Sequence, residues 1–419
     1  MSRRRPDGGG PWAAAETTPW LPRAPAVVPR LAAATALCAG AVEAAAVALA
    51  VIVFDRTGST AWVSVALVGS LGVSALLGPL GGVIADRYPR RTVMALVAAA
   101  DAVIFGLVGF VPETWQMIAL SALGAVVLLP FEGSATALIP TLVKDDRLPA
   151  ATSTIAAAQQ TATLLGPVAA GVGVGVAGRT PVYLVVSGLF LAAAVAVRAL
   201  PSVPVAPSGG TMRMHLREGM RALVSDRVIL TTTAAATLLI GFSAATLVAG
   251  VAFSQEELNA GEAGYGFMVS AWGGGMVAGS LIGGRLLRRH SALLLIGGGL
   301  LLAGISLASV AAAPTLGVTL VALAVGGFGN GAMNTSEMVL YQRRIPNAVL
   351  GRVRAAAVAL LRVAYAVSFV IGGAVAHAAG SRAVFAAAGI GIILTALPVL
   401  GLLVTRREQA PGEPQEPSG

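Results

Sequence analysis

Residues 78–91 read GPLGGVIADRYPRR. A long apolar run closes in Gly81 and Gly82. Asp86, Arg87, Tyr88, Pro89, Arg90 and Arg91 follow, and the next apolar run starts at once. Two long apolar segments joined by a short charged turn that carries Gly and Pro read as two membrane helices meeting at the bilayer surface. The glycines let the end of the first helix pack closely against a neighbour. Asp86 is then placed to be drawn to the N-terminus of another helix. The plainer alternative is a positive anchor that only sets topology.

Composition agrees with a membrane chain. Of 419 residues, 56% are hydrophobic and 11% charged, whereas soluble domains carry about a quarter charged residues. The net charge of +9 does not point to nucleic acid, because the arginines sit between apolar runs rather than on one face. Cys38 is the only cysteine and lies in an apolar run, which excludes an intramolecular disulfide and a cysteine-based metal site. No metal or cofactor is expected.

Outward from 78–91, the apolar runs number twelve: 29–53, 60–85, 92–111, 115–139, 151–177, 181–199, 228–253, 264–287, 291–312, 316–340, 351–378 and 382–405. The expected fold is therefore an all-α membrane protein of twelve transmembrane helices. The expected domains are a disordered N-terminus (1–27, with five prolines), a first bundle of six helices (28–199), a linker (200–227), a second bundle of six (228–405) and a polar tail (406–419). The first run is too long for a signal peptide and is taken as a span. Of the 28 Lys and Arg, 24 fall on the side shared by both termini and every second loop. Arg56, Arg179 and Arg382 fall opposite, and Arg362 lies inside a span. The positive-inside rule then puts both termini in the cytoplasm of a cell-membrane protein.

The halves repeat. Gly81–Gly82 aligns with Gly283–Gly284, Leu148–Pro149 with Leu350–Gly351, and Gly171 with Gly373, all at an offset of 202 residues. One shared offset implies two six-helix halves in the same orientation. The acid is not repeated, since Arg288 stands where Asp86 would recur. In the linker, Arg213, Arg217 and Arg221 form a basic stripe beside Met212, Leu216, Met220 and Leu223, as in a short helix lying on an anionic leaflet.

With these features the chain resembles the major facilitator superfamily over residues 28–405. Gly82, Asp86, Arg87, Arg90 and Arg91 match that family's loop motif between spans two and three, with Pro89 in place of the usual glycine. The resemblance implies that Asp86 helps lock the cytoplasmic gate against the start of span eleven, Gly351 to Arg354. The stretches DRTGST (55–60), ALIPTLVKDDRLPAATS (137–153), REGMRALVSD (217–226) and QRRIPNAVLGRVRA (342–355) resemble the macrolide-efflux and enterobactin-exporter branch. Gly166, Pro167 and Gly171 in span five resemble the Gly-Pro motif of the drug antiporters; a simple packing kink is the alternative.

A charge in mid-span costs about 2.5–3.5 kcal/mol on insertion scales, so each one asks for a reason. Glu43, Asp101 and Glu132 are the candidates for proton coupling, because burial favours the neutral form of a carboxyl. The alternative is a permanently neutral acid bonded to a neighbouring helix. Asp101 is placed in the cytoplasmic third, within reach of water or an inner-loop arginine. Glu337 and Arg362 are expected to pair, either structurally or as substrate contacts. Asn330, Asn334, Gln159, Gln160, Trp272 and Tyr365 are the other groups available to a substrate, if they do not serve helix packing. The resulting expectation is a monomeric secondary transporter that exports a small amphiphilic molecule against protons within the lipid bilayer. A proton-coupled importer is the alternative. No nucleophile elbow, histidine pair or P-loop supports a membrane enzyme or direct ATP drive, and no loop is large enough for a receptor domain.

Overall fold

Ala, Val, Leu and Gly fill the apolar runs, and in a bilayer such a run must satisfy its own backbone by forming a helix. The computed structural model describes residues 24–73, 77, 84, 87–143, 148–201, 212–345 and 347–408, and all regular structure there is helical. The first half holds α1 (Ala24–Thr57), α2 (Thr60–Leu67, continued by a π-turn over Val68–Gly72), α3 (Arg90–Val108), α4 (Thr114–Val127), α5 (Leu129–Leu142), α6 (Leu148–Ala177) and α7 (Arg179–Arg198). A linker helix α8 (Met212–Ser225) follows. The second half holds α9 (Arg227–Ser243), α10 (Ala245–Ala252, continued by a π-turn over Phe253–Glu257), α11 (Gly261–Leu286), α12 (Ala292–Val310), α13 (Leu316–Arg344) and α14 (Asn347–Glu408).

Ten segments among the described residues are long and apolar enough to cross a membrane. The last of them, Arg352–Leu403, contains two spans, because Gly380 breaks α14 at φ 82° and ψ 168°. Thr60–Ser70 begins the expected second span. The count of twelve turns on residues 74–86, most of which lie outside the described residues. Gly82 and Asp86 are among those outside, so the expected gate pair is not described.

The repeat read from sequence reappears in the backbone. Gly178 starts α7 at φ 79°, and its counterpart Gly380, 202 residues on, has φ 82°. Both positions require the left-handed region, where glycine carries no Cβ penalty. The arginine after each turn then clamps the same kind of loop. Arg179 Nη1 donates to the Val111 carbonyl at 2.7 Å, and Arg382 Nη1 donates to those of Ala311 (2.8 Å) and Ala313 (3.3 Å). Arg56 donates likewise to the Pro112 carbonyl at 2.8 Å. The three arginines that break the positive-inside pattern are thus all carbonyl clamps on the arginine-poor face. Arg382 adds an ion pair with Glu257 at 2.8 Å and a position over the Phe253 ring at 5.4 Å. Arg382→Gln is expected to lower stability by about 1–3 kcal/mol, read as a lower melting temperature of the purified protein.

Two seams join the halves, α6 against α11 and α2 against α14. The same offset relates them. Ser64 Oγ donates to the Phe369 carbonyl at 2.9 Å, and Gly266 packs on the Pro167 carbonyl. Gly373 abuts Ser64 as Gly171 abuts Gly266. Ser270 Oγ adds a bond to the Leu164 carbonyl at 2.8 Å. Every one of these contacts lies in the half of its helix away from the arginine-rich ends. Toward those ends Thr152, Ser153 and Thr154 of α6 and Arg354 and Val358 of α14 are exposed. Among the described residues the contacts between the halves thus gather toward the arginine-poor face.

The linker helix docks on protein. Leu223 is buried in the second-half core, Gly219 sits against the Arg352 backbone, and Glu218 pairs with Arg352 at 2.6 Å. Its apolar stripe therefore does not simply face the leaflet, although Arg217 and Arg221 stay exposed. The start of α14, expected to meet the gate motif, is met among the described residues by this helix. Of the gate arginines, Arg91 donates to the Leu200 carbonyl at 2.9 Å and Arg87 is exposed.

Asp226 caps α9 by accepting from the Val228 and Ile229 amides, and Arg344 Nε donates to it at 2.8 Å. Burial pushes its carboxyl upward, but the Arg344 and amide hydrogen bonds outweigh that and hold it below the usual aspartate value. A lowered native pKa gives stability that is complete above the unfolded value and lost as pH falls through the native one. Asp226→Asn is thus expected to lower the melting temperature at pH 7. The difference from wild type should shrink toward zero below about pH 3–4.

Candidate functional site

Between the halves lies a central cavity with three adjoining lobes. The first, about 310 Å³, is lined by Glu43, Ser121, Glu132, Arg362 and Tyr365 together with apolar side chains. The second, about 450 Å³, faces the second half and carries Trp272, Met276, Asn330, Asn334, Glu337 and Tyr365. The third, about 380 Å³, runs past Cys38, Glu132, Gln159, Gln160 and Thr163. Glu43 lines all three.

Its place follows from packing. In α6, Gly166 has no side chain, and a Cβ there would stand 2.8 Å from the Gly40 carbonyl and 3.3 Å from Glu43 Cβ. The bare backbone of α6 therefore lets α1 approach closely at the level of the acid. Pro167 and Gly171, one and five residues on, face Gly266 of α11. The Gly-Pro stretch is thus shared between two contacts: it seats Glu43 on one side and closes a seam between the halves on the other.

Two expectations are corrected. Glu337 and Arg362 do not pair. Tyr341 Oη, one turn along α13, donates to Glu337 Oε1 at 3.1 Å and lies 2.5 Å from Thr233 Oγ1. Arg362 instead reaches across to the first half, with Nη2 3.7 Å from Glu132 Oε2. Arg362 and Tyr365 share the face of α14 that looks into the first lobe, where Glu132 also stands. Asp101 is closed off from the surface, and among the described residues no inner-loop arginine pairs with it. It sits midway along α3, fully buried, and neither carboxyl oxygen has a hydrogen-bond partner among the described residues. It lies just behind the cavity wall, since a Cβ on Gly124 would stand 2.8 Å from the Phe105 ring and 3.3 Å from Asp101 Oδ1.

Trp272, Tyr365, Asn330, Asn334, Gln159 and Gln160 line the cavity. Asn330 and Asn334 both turn their amides toward Met276 sulfur, at 3.7 and 4.0 Å. Sequence reasoning missed the sulfur wall of Met268, Met276 and Met333 in the second lobe. The signal was present, because Met268, Trp272 and Met276 recur every four residues along α11. Such a wall is polarisable and adaptable, and suits apolar ligands of varied shape. Among the described residues no cluster of three metal-ligating side chains occurs.

Comparison with known proteins gives a concordant picture. The family model described as Major Facilitator Superfamily matches residues 31–368 and again 233–419. The "Multi-drug resistance efflux pump PmrA" of Streptococcus pneumoniae is 35% identical over 121 residues, which is 29% of this chain and 30% of that protein. The "Multidrug resistance protein MdtG" of Serratia proteamaculans is 29% identical over 157 residues, 38% of each. The matched stretches span well under half the length of these relatives. Among solved structures, the nucleoside transporter NupG superposes with a TM-score of 0.74 at 14% identity, covering 90% of this chain and 99% of that one. A POT family transporter in complex with 5-aminolevulinic acid gives 0.71 at 11% identity, with 90% and 96% covered.

Proposed function

Because the chain belongs to the Major Facilitator Superfamily, we propose that this multi-pass membrane protein exports a small amphiphilic molecule by proton antiport with alternating access. The observation that carries the reading is the position of Glu43. A single carboxyl lines every lobe of a cavity whose described inter-half contacts gather on one face. An acid so placed can exchange protons with one side at a time, and a substrate entering any lobe meets it. The chemistry of the walls suits an amphiphile: Trp272, Tyr365 and three methionines offer apolar surface, while Glu132, Glu337 and Arg362 offer charge. The efflux name of PmrA favours export as the direction.

In this reading Glu43 is the principal proton carrier, with Glu132 beside it and Asp101 behind the wall. The arginine-rich face, with both termini, is cytoplasmic, so the cavity opens to the cytoplasm. Gly82, Asp86, Arg87, Arg90 and Arg91 form the gate that closes that face in the opposite state. The protein works as a monomer in the cell membrane. The same acids would serve a symporter, so import is the second reading.

The test is the content of a fluorescent amphiphilic dye in cells expressing the protein, with and without a protonophore. Export predicts lower dye content, restored by the protonophore. Raised content would replace export by import. Lowered content that persists with the protonophore would overturn proton coupling.

A further inference from the structure

Three acids, Glu43, Glu132 and Glu337, line the cavity, whereas among the described residues Arg362 is the only basic side chain on the walls of its three lobes. Its charge is poorly used by the protein itself. The approach to Glu132 is 3.7 Å, the long end of an ion pair, with the two side chains 34% and 70% exposed. A pair so long and so accessible does little to hold the halves together. A guanidinium presents five N–H donors in a planar fork suited to a two-point grip on an oxyanion. The surroundings of Arg362 are those of a binding group. Tyr365 lies one turn away on the same cavity-facing side of α14, and Leu49, Phe105, Leu128 and Leu247 complete an apolar wall.

We propose that Arg362 receives an anionic group on an otherwise apolar substrate, and that Glu132 is the internal anion which this group displaces. The substrate is then an amphiphile carrying a carboxylate or a similar oxyanion, its apolar body lying along Tyr365 toward the methionine wall. The displacement also has a mechanical consequence. Arg362 belongs to the second half and Glu132 to the first, so substrate exchanges a contact between the halves for a contact with itself. This names the substrate class for the export reading and rests on that reading only for direction.

The test uses the full chain in lipid nanodiscs and two probes of matched shape, a dansyl-labelled undecanoic acid and its methyl ester. Wild type is expected to bind the acid at least about ten-fold more tightly than the ester, the scale of one charge-assisted contact. Arg362→Gln should abolish that preference and leave ester affinity within about two-fold. Glu132→Gln should tighten the acid several-fold and leave the ester unchanged. Arg362→Lys, which keeps the charge but loses the fork, should retain part of the preference. If ester binding is also lost in Arg362→Gln, the lysine variant decides: no loss of preference there, relative to wild type, overturns the role of the fork. Equal binding of acid and ester by wild type, or an intact preference in Arg362→Gln, overturns the proposal. Equilibrium binding needs no gradient, so raised dye content in the expressing cells would remove the export reading and leave this result standing. Export of a cationic dye with no preference for the acid probe would do the reverse.

Discussion

Glu43→Gln is expected to abolish uphill, proton-driven transport and to leave the protein folded and able to exchange substrate. Glutamine keeps the volume and the hydrogen-bonding reach of the acid but has no proton to release. An isolated carboxylate in mid-membrane is costly, by about 2.5–3.5 kcal/mol on insertion scales, so a neutral amide in its place does not endanger the fold. In an antiporter, the step that returns the empty cavity is tied to loading and release of the proton. A side chain that is always neutral breaks that tie. In proteoliposomes with an imposed pH gradient, accumulation against a substrate gradient should fall from many-fold to about one-fold, the value without coupling. Counterflow, in which labelled substrate exchanges for unlabelled substrate across the membrane, should persist near the wild-type rate. Full gradient-driven accumulation in Glu43→Gln would remove Glu43 as the carrier. Loss of counterflow as well would assign it to substrate binding. Glu132→Gln should be milder, because Glu132 lines two lobes and already has Arg362 near it.

Much of this architecture is legible from residue order alone, because membrane helices announce themselves through length and apolarity, and loops through arginine. The offset of 202 residues also reads directly, and the backbone repeats it at Gly178 and Gly380 and at the two seams. What residue order does not encode is helical phase across long spans. Glu337 and Arg362 are close in sequence and opposite in charge, so a pair between them reads naturally. The face of α14 that bears Arg362 looks instead toward the first half, and Glu337 takes Tyr341 one turn away. Asp101 misleads for the same reason, since the periodicity of α3 does not say that Phe105 and Gly124 stand between it and the cavity. The amphipathic linker helix has a face that fits a leaflet or a protein surface equally well. Gly219 against the Arg352 backbone, buried Leu223 and the Glu218–Arg352 pair show which one it takes.

Gly266→Val is expected to halt transport by forbidding one of the two states. In the state seen here, a Cβ on residue 266 would run into the Pro167 carbonyl and stand 3.3 Å from the Gly171 Cα. Both neighbours are backbone of α6, so neither yields as a side chain would. The symmetry-related seam shows how tight this one is. There Ser64 occupies the matching position, with its hydroxyl 2.9 Å from the Phe369 carbonyl. At Gly266 the carbonyl is too near for even the first carbon. Overpacking costs typically about 1–3 kcal/mol where surroundings can shift, and more where only backbone is met. In the proposed alternating-access cycle the seam is made only when the arginine-poor face is closed, so the whole cost falls on that state. A bias of about 5.5 kcal/mol turns a 99:1 preference into 1:99, and valine's two methyl groups make the contact worse than a bare Cβ. The variant should therefore remain folded but rest open toward the arginine-poor face. Reporter chains carrying Ser64→Cys in a Cys38→Ser background would show this directly. Residue 64 is buried in the closed seam, and its labelling by a membrane-impermeant thiol reagent from the arginine-poor side should rise at least about ten-fold when Gly266→Val is added. Transport should fall below about a tenth of wild type with a melting temperature little changed. Unchanged labelling together with normal transport would mean that the α6–α11 seam opens and closes without Gly266, and that closure of this face is governed from the α2–α14 side alone.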